Sequence, residues 1–207
     1  MYLTCATINR LQQSARQALG DCCDMHRNVM TLYPHVQCLE ARKSGGVLFR
    51  TMEQRGDTLL YLMSETQPDF SGVEWLNSSS ARVRDVAPLR SVLATGKTLR
   101  FDLLAHPSKK VNAERKNSAR VFLRTEDERK QWLARQGEKY GFSVDASQEK
   151  LILDLHGKRS TGPMYLKAVQ FNGILRVTDP DMFWKGYTQG IGAEKSYGLG
   201  MLLLSAV

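Results

Sequence analysis

At 207 residues the chain is long enough for one large domain or two compact ones of about 100 residues each. Hydrophobic residues make up 42% and charged residues 24%, and no apolar run approaches the ~18 residues that cross a bilayer, which excludes disordered, collagen-like and helical membrane classes. The balance of 29 Lys+Arg against 21 Asp+Glu, a net charge of +8, favours a polyanionic partner through counterion release.

Residues 2–8, apolar with β-branched members, read as a strand. Asp21 then precedes a helical stretch through Tyr33, stopped by Pro34, whose ring disfavours helix in the residue before it. Residues 47–52 and 58–63, separated by a turn containing Gly56-Asp57, form a strand pair. Residues 69–76 are expected to form a short helix and 81–86 a further strand. The second half repeats the order: a strand at 99–104, a helix opened by the capping box Thr125…Glu128 and running to about Tyr140, a brief strand at 142–144, strand material at 151–155 and 165–177, a helix over 179–188, and a last strand at 201–204. Two β-α-β-β-α-β units predict an α+β chain of tandem ferredoxin-like folds, the architecture also used by RNA recognition motifs, with domains at 1–90 and 96–207. Neither half carries the aromatic pair of a standard RNA-recognition strand, so base stacking on a sheet is not expected.

The charge is unevenly placed. Residues 1–104 hold 12 basic and 10 acidic residues, residues 105–207 hold 17 and 11. Eight basic residues fall within 97–124 (Lys97, Arg100, Lys109, Lys110, Arg115, Lys116, Arg120 and Arg124), against Asp102 and Glu114. This stretch is either a polyanion contact or a solubilising loop. The helix bearing Arg129, Lys130, Arg135 and Lys139 is nearly balanced by Glu126, Asp127, Glu128 and Glu138, and reads equally as an RNA contact or as an internally paired face. Four cysteines (Cys5, Cys22, Cys23 and Cys38) without an export signal in the opening MYLTCATINRL point to reduced thiols and a cytoplasmic location. No C-x-x-C pair exists, so no metal site is expected.

Two segments could carry chemistry. Gly190-Ile191-Gly192-Ala193-Glu194-Lys195-Ser196-Tyr197-Gly198-Leu199-Gly200 holds four glycines around a lysine. Backbone N–H groups in such a loop can approach phosphate oxygens. It is not a P-loop, because Glu194 rather than glycine precedes Lys195-Ser196 and a strand follows. It is not a dinucleotide fingerprint, because neither the helix nor the acidic residue which that motif needs follows it before Val207. The alternative is a helix C-cap with a tight turn into the last strand. In the helix from Asp21, Met25, Val29 and Leu32 share one face suited to the core, while His26 shares a neighbouring face with Cys23, Met30 and Tyr33. An imidazole at such an edge can exchange protons near neutrality, although a surface histidine would look the same. His35, His106 and His156 have no better claim from spacing.

Taken together, these segments resemble one family. The MYL strand, the Asp-x-x-x-x-His helix ending at Tyr33-Pro34, the turn Ala105-His106-Pro107-Ser108-Lys109-Lys110, Arg120-Val121 before a Glu-rich helix, and the closing Phe171-Asn172-Gly173-x-Leu175-x-Val177-Thr178-Asp179-Pro180…Gly190-Ile191-Gly192-x-x-Lys195-x-x-Gly198-x-Gly200-x-Leu202 are similar to the CasE family of CRISPR repeat-processing endoribonucleases of the Cascade type. The similarity covers essentially the whole chain, and the glycine-rich ending is its most specific part. The resemblance implies tandem ferredoxin-like domains that bind the stem-loop of a CRISPR repeat and cut pre-crRNA at the 3′ base of the stem. It implies no metal or other cofactor: the ribose 2′-OH attacks the adjacent phosphorus and leaves a 2′,3′-cyclic phosphate and a 5′-OH. Retention of the cut hairpin as a subunit among other Cascade-type proteins, with no membrane partner, is implied as well.

The family histidine carries over to His26. Many members have a tyrosine three residues earlier as its acid/base partner, where this chain has Cys23. Cys23, Tyr33 on the same projected face, and phosphate-binding lysines are the possible replacements. Lys109, Lys110, Arg115, Lys116 and Arg120, in a basic hairpin, together with Gly190, Gly192, Lys195 and Ser196, are the expected RNA contacts. A non-catalytic hairpin-binding subunit, with His26 structural and Cys23 marking lost activity, is the alternative, and a mononucleotide-binding enzyme using the glycine loop is a third reading.

Overall fold

The computed structural model describes residues 1–36, 46–111 and 119–207. Strand β1 (Tyr2–Ile8) alternates strictly enough to bury Thr4, Ala6 and Ile8 on one face, as a half-buried strand requires. Helices α1 (Gln13–Gly20) and α2 (Cys22–Thr31) follow, parted by Asp21, whose extended backbone breaks the helix and whose Oδ1 accepts from the N–H groups of Cys23 and Asp24 at 2.7 and 3.1 Å. Strands β2 (Leu48–Gln54), β3 (Asp57–Ser64) and β4 (Leu76–Asp85) complete an antiparallel sheet in the order β2-β3-β1-β4, the ferredoxin-like arrangement. Ala15, Ala18, Met25 and Val29 from the helices, with Leu32 just beyond α2, pack against Phe49, Leu60 and Leu62.

The helix expected at 69–76 is absent. The Asp69 carboxylate accepts from the Ser71 N–H at 2.8 Å, and Gly72 has φ +70°. This turn chemistry outcompetes a short helix. A loop there is tied back by Asp69 N–H to the Leu32 carbonyl (2.8 Å) and by Asn9 N–H to the Trp75 carbonyl (2.9 Å).

After the single helical turn α3 (Leu89–Val92), the second half runs β5 (Thr98–Ala105), β6 (Ser108–Lys110), β7 (Arg120–Phe122), α4 (Glu126–Lys139), β8 (Phe142–Arg159), β9 (Gly162–Val177), α5 (Pro180–Gln189), a 3₁₀ turn (Lys195–Tyr197) and β10 (Leu202–Ser205). Its main sheet has the order β10-β5-β9-β8, again ferredoxin-like and antiparallel, while β6 and β7 form a separate two-stranded ribbon. The capping box at Thr125 and Glu128 is present, and Asp179 caps α5 with Pro180 in its first turn. The expected separate strands at 142–144 and 151–155 are one 18-residue strand, continuous through irregularities between Val144 and Ala146 and between Glu149 and Leu151. Only Val169–Arg176 of β9 pairs with β5, so the far end of the β8–β9 hairpin runs beyond the sheet.

That projecting end reaches the first half of the chain. Gly157 lies against α2, where a Cβ would stand 2.8 Å from the Cys23 Sγ and 2.9 Å from the Cys22 Sγ, and the Lys158 N–H donates to Asp21 Oδ2 at 2.9 Å. The two sheets also share a core: Leu48 and Met63 belong to the same apolar cluster as Leu103, Phe171 and Leu175. Between them Arg50 of β2, its side chain 3% exposed, is ion-paired with Asp102 of β5, whose Oδ2 also accepts from Gln170 and Asn172 at 2.7 and 2.8 Å. Among the described residues no helix is long and apolar enough to cross a membrane.

Candidate active site

The capped first turn of α2 holds the segment that presents His26. The His26 ring is half-buried and lies near-parallel to Phe49, with centroids 6.4 Å apart and planes 19° apart. Phe49 is buried in β2 and forms part of the wall of a cleft of about 280 Å³. Cys22 and Met25 of α2, Leu104 of β5, His156 of β8 and Tyr197 of the glycine-rich loop line the same cleft. Elements far apart in the chain thus meet at this cleft, whose own histidine is His156; His26 adjoins it through the Phe49 ring.

The two side chains expected as its partner are differently placed. Cys23 is buried under Gly157, and the adjacent Cys22 thiol is pushed up to about 12 by burial, reinforced by Cys23 and Asp21, so it stays protonated at neutral pH. Tyr33 does not share the His26 face. Helix α2 ends at Thr31, so the helical projection does not extend to residue 33; the ring enters the core and its hydroxyl donates to Ser64 Oγ at 3.0 Å. Burial pushes this phenol up to about 12. Being buried and hydrogen-bonded in the core, Tyr33 is not a candidate for proton exchange with a substrate.

The glycine-rich loop has the form of a helix C-cap with a tight turn into the last strand, one of the two readings of its sequence. Gly190 caps α5 with φ +79°, and the Ile191 N–H donates to the Gly200 carbonyl at 2.8 Å while the Gly200 N–H donates to the Leu104 carbonyl at 2.7 Å, so the run is a closed turn into β10. Gly190 and Gly192 are packed against Leu48 and Trp132. Lys195 Nζ donates to the Gln189 carbonyl at 2.8 Å, and Ser196 is half-buried beside it. At the cleft end, Gly198 (φ +79°) lies so near Phe49 that a Cβ would be 3.0 Å from the ring, and this close approach brings Tyr197 alongside α2. Arg159 at the hairpin tip sits over the Tyr197 ring, 5.2 Å from its centroid.

Lys109 and Lys110 on β6 and Arg120 on β7 are exposed, as a polyanion contact needs. Lys109 is also ion-paired with Glu128 at 3.3 Å, and Arg120 donates to Ser108 Oγ at 3.4 Å. Arg115 and Lys116 lie outside the described residues, as does Cys38. On α4 two of the basic residues are internally paired. Arg129 is 7% exposed, forms a two-pronged pair with Glu149 (2.7 and 2.6 Å) and donates to the carbonyls of Leu123 and Arg124; Lys130 pairs with Glu126 one turn away. Among the described residues no group of three or more His, Cys, Asp and Glu side chains is disposed to hold a metal ion. Sequence reasoning missed Phe49, Arg159 and Tyr197 as members of the site. Only Tyr197 carried a signal, its place inside the glycine-rich run.

The chain, with its two ferredoxin-like sheets, belongs to the CRISPR associated protein family, whose model matches residues 1–206. Within it, the chain belongs to the CasE/Cse3 family of CRISPR endoribonucleases. It is 30% identical to the CRISPR-associated endoribonuclease Cse3 of Thermus thermophilus, over 98% of both chains. The structure of Thermus thermophilus Cse3 bound to an RNA representing a pre-cleavage complex superposes with a TM-score of 0.81 at 28% identity, covering 99% of this chain and 98% of that one. The Cas6e protein of Escherichia coli K-12 shares the fold, with a TM-score of 0.72 at 24% identity over the full length of both chains.

Proposed function

We propose that this protein binds the stem-loop of a CRISPR repeat and cuts pre-crRNA at the 3′ base of the stem without a metal ion. The domains at 1–90 and 96–207 are joined through α3 and the short stretch before β5. The 2′-OH attacks the adjacent phosphorus, the P–O5′ bond breaks, and the products are a 2′,3′-cyclic phosphate and a 5′-OH. His26 takes the 2′-OH proton, a step worth about 10²–10⁴-fold. The observation that carries this reading is His26 itself, half-buried against Phe49, a ring that lines a cleft, in a chain similar end to end to an endoribonuclease. RNA binding is supported by the relative solved with RNA and by the exposed Lys109, Lys110 and Arg120, which extend a basic ribbon outward from β5. Arg115, Lys116 and Lys195, with Ser196 and the glycine backbone, complete the proposed phosphate contacts. The cut hairpin stays bound, and the protein serves as a subunit of a Cascade-type complex.

The test is cleavage, in EDTA, of a synthetic RNA of the repeat from the neighbouring array, beside the same RNA with a single 2′-deoxy at the cut site. Only the ribose substrate is expected to be cut. Tight binding with no cutting of either RNA would overturn the catalytic reading in favour of a hairpin-binding subunit.

A further inference from the structure

Breaking a P–O5′ bond at neutral pH needs a proton for the departing oxygen as well as a base for the attacking hydroxyl. Around the cleft, the groups that could give a proton are few, and one of them, His156, sets its ring against Tyr165, centroids 5.3 Å apart, on the β8–β9 hairpin rather than against Phe49 and His26. Cys23 is covered by Gly157, Cys22 is a protonated, poorly donating thiol, and Tyr33 is in the core. Tyr197 is different. It lines the cleft, is half-buried, and is held in the turn whose Gly198 packs on Phe49, the ring that His26 itself lies against. Resting on the ribonuclease reading above, we propose that Tyr197 is the proton donor to the 5′-oxygen leaving group, acting opposite His26, with the Arg159 guanidinium over its ring holding it in place.

The chemistry is consistent with the surroundings. Burial raises the Tyr197 phenol, with the Cys23 thiol and Glu194 adding to the rise, and the Arg159 charge opposes it. The phenol is therefore protonated at neutral pH and able to donate, while the adjacent cation stabilises the phenolate formed as the proton leaves. In the complete step the O2′–P bond forms as the 2′-OH proton passes to His26, and the P–O5′ bond breaks as the Tyr197 proton passes to O5′. Imidazolium and phenolate then return to their starting forms by proton exchange through water. Arg159 is the positioning residue: it is 44% exposed, sits 5.2 Å from the Tyr197 ring centroid and 4.0 Å from Glu194, so the hairpin tip and the loop hold one another.

The test is single-turnover cleavage of the synthetic repeat hairpin by the full chain, with Tyr197→Phe, which keeps the ring and its packing. RNA affinity is expected to be unchanged and the rate to fall about 10²–10⁴-fold. A second substrate carries sulfur in place of the bridging 5′-oxygen; a thiolate leaves without a proton, because thiols are far stronger acids than alcohols. On this RNA, Tyr197→Phe is expected to cut as fast as the wild type, while His26→Ala stays slow on both. Wild-type cleavage of the oxygen substrate by Tyr197→Phe, or equal slowing on both substrates, overturns the assignment and leaves the ribonuclease reading intact. A wild-type protein that cuts neither RNA overturns both.

Discussion

Asp21 and Lys158, 137 residues apart, are joined by a hydrogen bond from the Lys158 N–H to Asp21 Oδ2, while Asp21 Oδ1 caps helix α2. One carboxylate therefore sets both the start of the histidine-bearing helix and the position of the β8–β9 hairpin. Asp21→Ala removes both functions. We expect a loss of about 1 kcal/mol or more in thermal stability from the lost cap. Cleavage should slow by more than that loss explains, because His26 and Tyr197 are no longer held together; melting and single-turnover kinetics on the same preparation check it.

Gly157 is not a positive-φ glycine; it is required for space. Gly157→Ala would press its methyl against two thiols and is expected to cost about 1–3 kcal/mol, as overpacking does. Combining it with Cys23→Ala should recover part of that loss, measured as a double-mutant cycle of unfolding free energies. Cys23→Ala alone should cut RNA at close to the wild-type rate.

Tyr33→Phe separates the two tyrosines. Removing the bond to Ser64 should lower stability by about 0.5–1.5 kcal/mol. Cleavage should be unaffected, in contrast to Tyr197→Phe.

Tyr33 and Tyr187 are both raised by burial to about 12, and Cys22 likewise from its ordinary 9.0. A group whose folded value lies above its unfolded one contributes stability that is complete below the unfolded value and lost as pH climbs through the folded one. Stability should thus fall between about pH 9 and 12, and a Tyr33→Phe, Tyr187→Phe double variant should show a shallower fall in urea midpoints above about pH 10.

Basic residues divide by role. Arg129→Ala breaks a buried pair with Glu149 and is expected to cost about 3–5 kcal/mol in stability. Lys110→Ala should leave melting unchanged, weaken binding to all RNAs, and reduce the slope of log affinity against log salt by about 1.

The strands and long helices were legible because their signals are local: alternation in β1, the capping box at Thr125, and Asp179-Pro180 before α5. Local signals failed where another local device prevailed, as the Asp69–Ser71 turn did over a helix at 69–76. The irregularities at Val144/Ala146 and Glu149/Leu151 hid the continuity of β8, since each shifts the alternation that marks a strand. Within the site, His26 was legible through its helix. Tyr33 was misplaced because the helix stops two residues short of it, and Tyr197 went unassigned because its relation to α2 is made by tertiary packing of a loop some 170 residues away.

The Arg50–Asp102 pair, with Gln170 and Asn172 gathered on the same carboxylate, ties the two sheets to one another through a buried charge. A half expressed alone would carry either a stranded cation or a stranded anion with its amide escorts, and an apolar face meant for the other sheet. Breaking such a pair costs about 3–5 kcal/mol, a large share of the stability of a small domain. Despite its two ferredoxin-like sheets, the polypeptide is not expected to behave as modular: the shared core and the buried pair predict a single melting transition and predict that a foreign half lacking the matching charge would fail to replace either part.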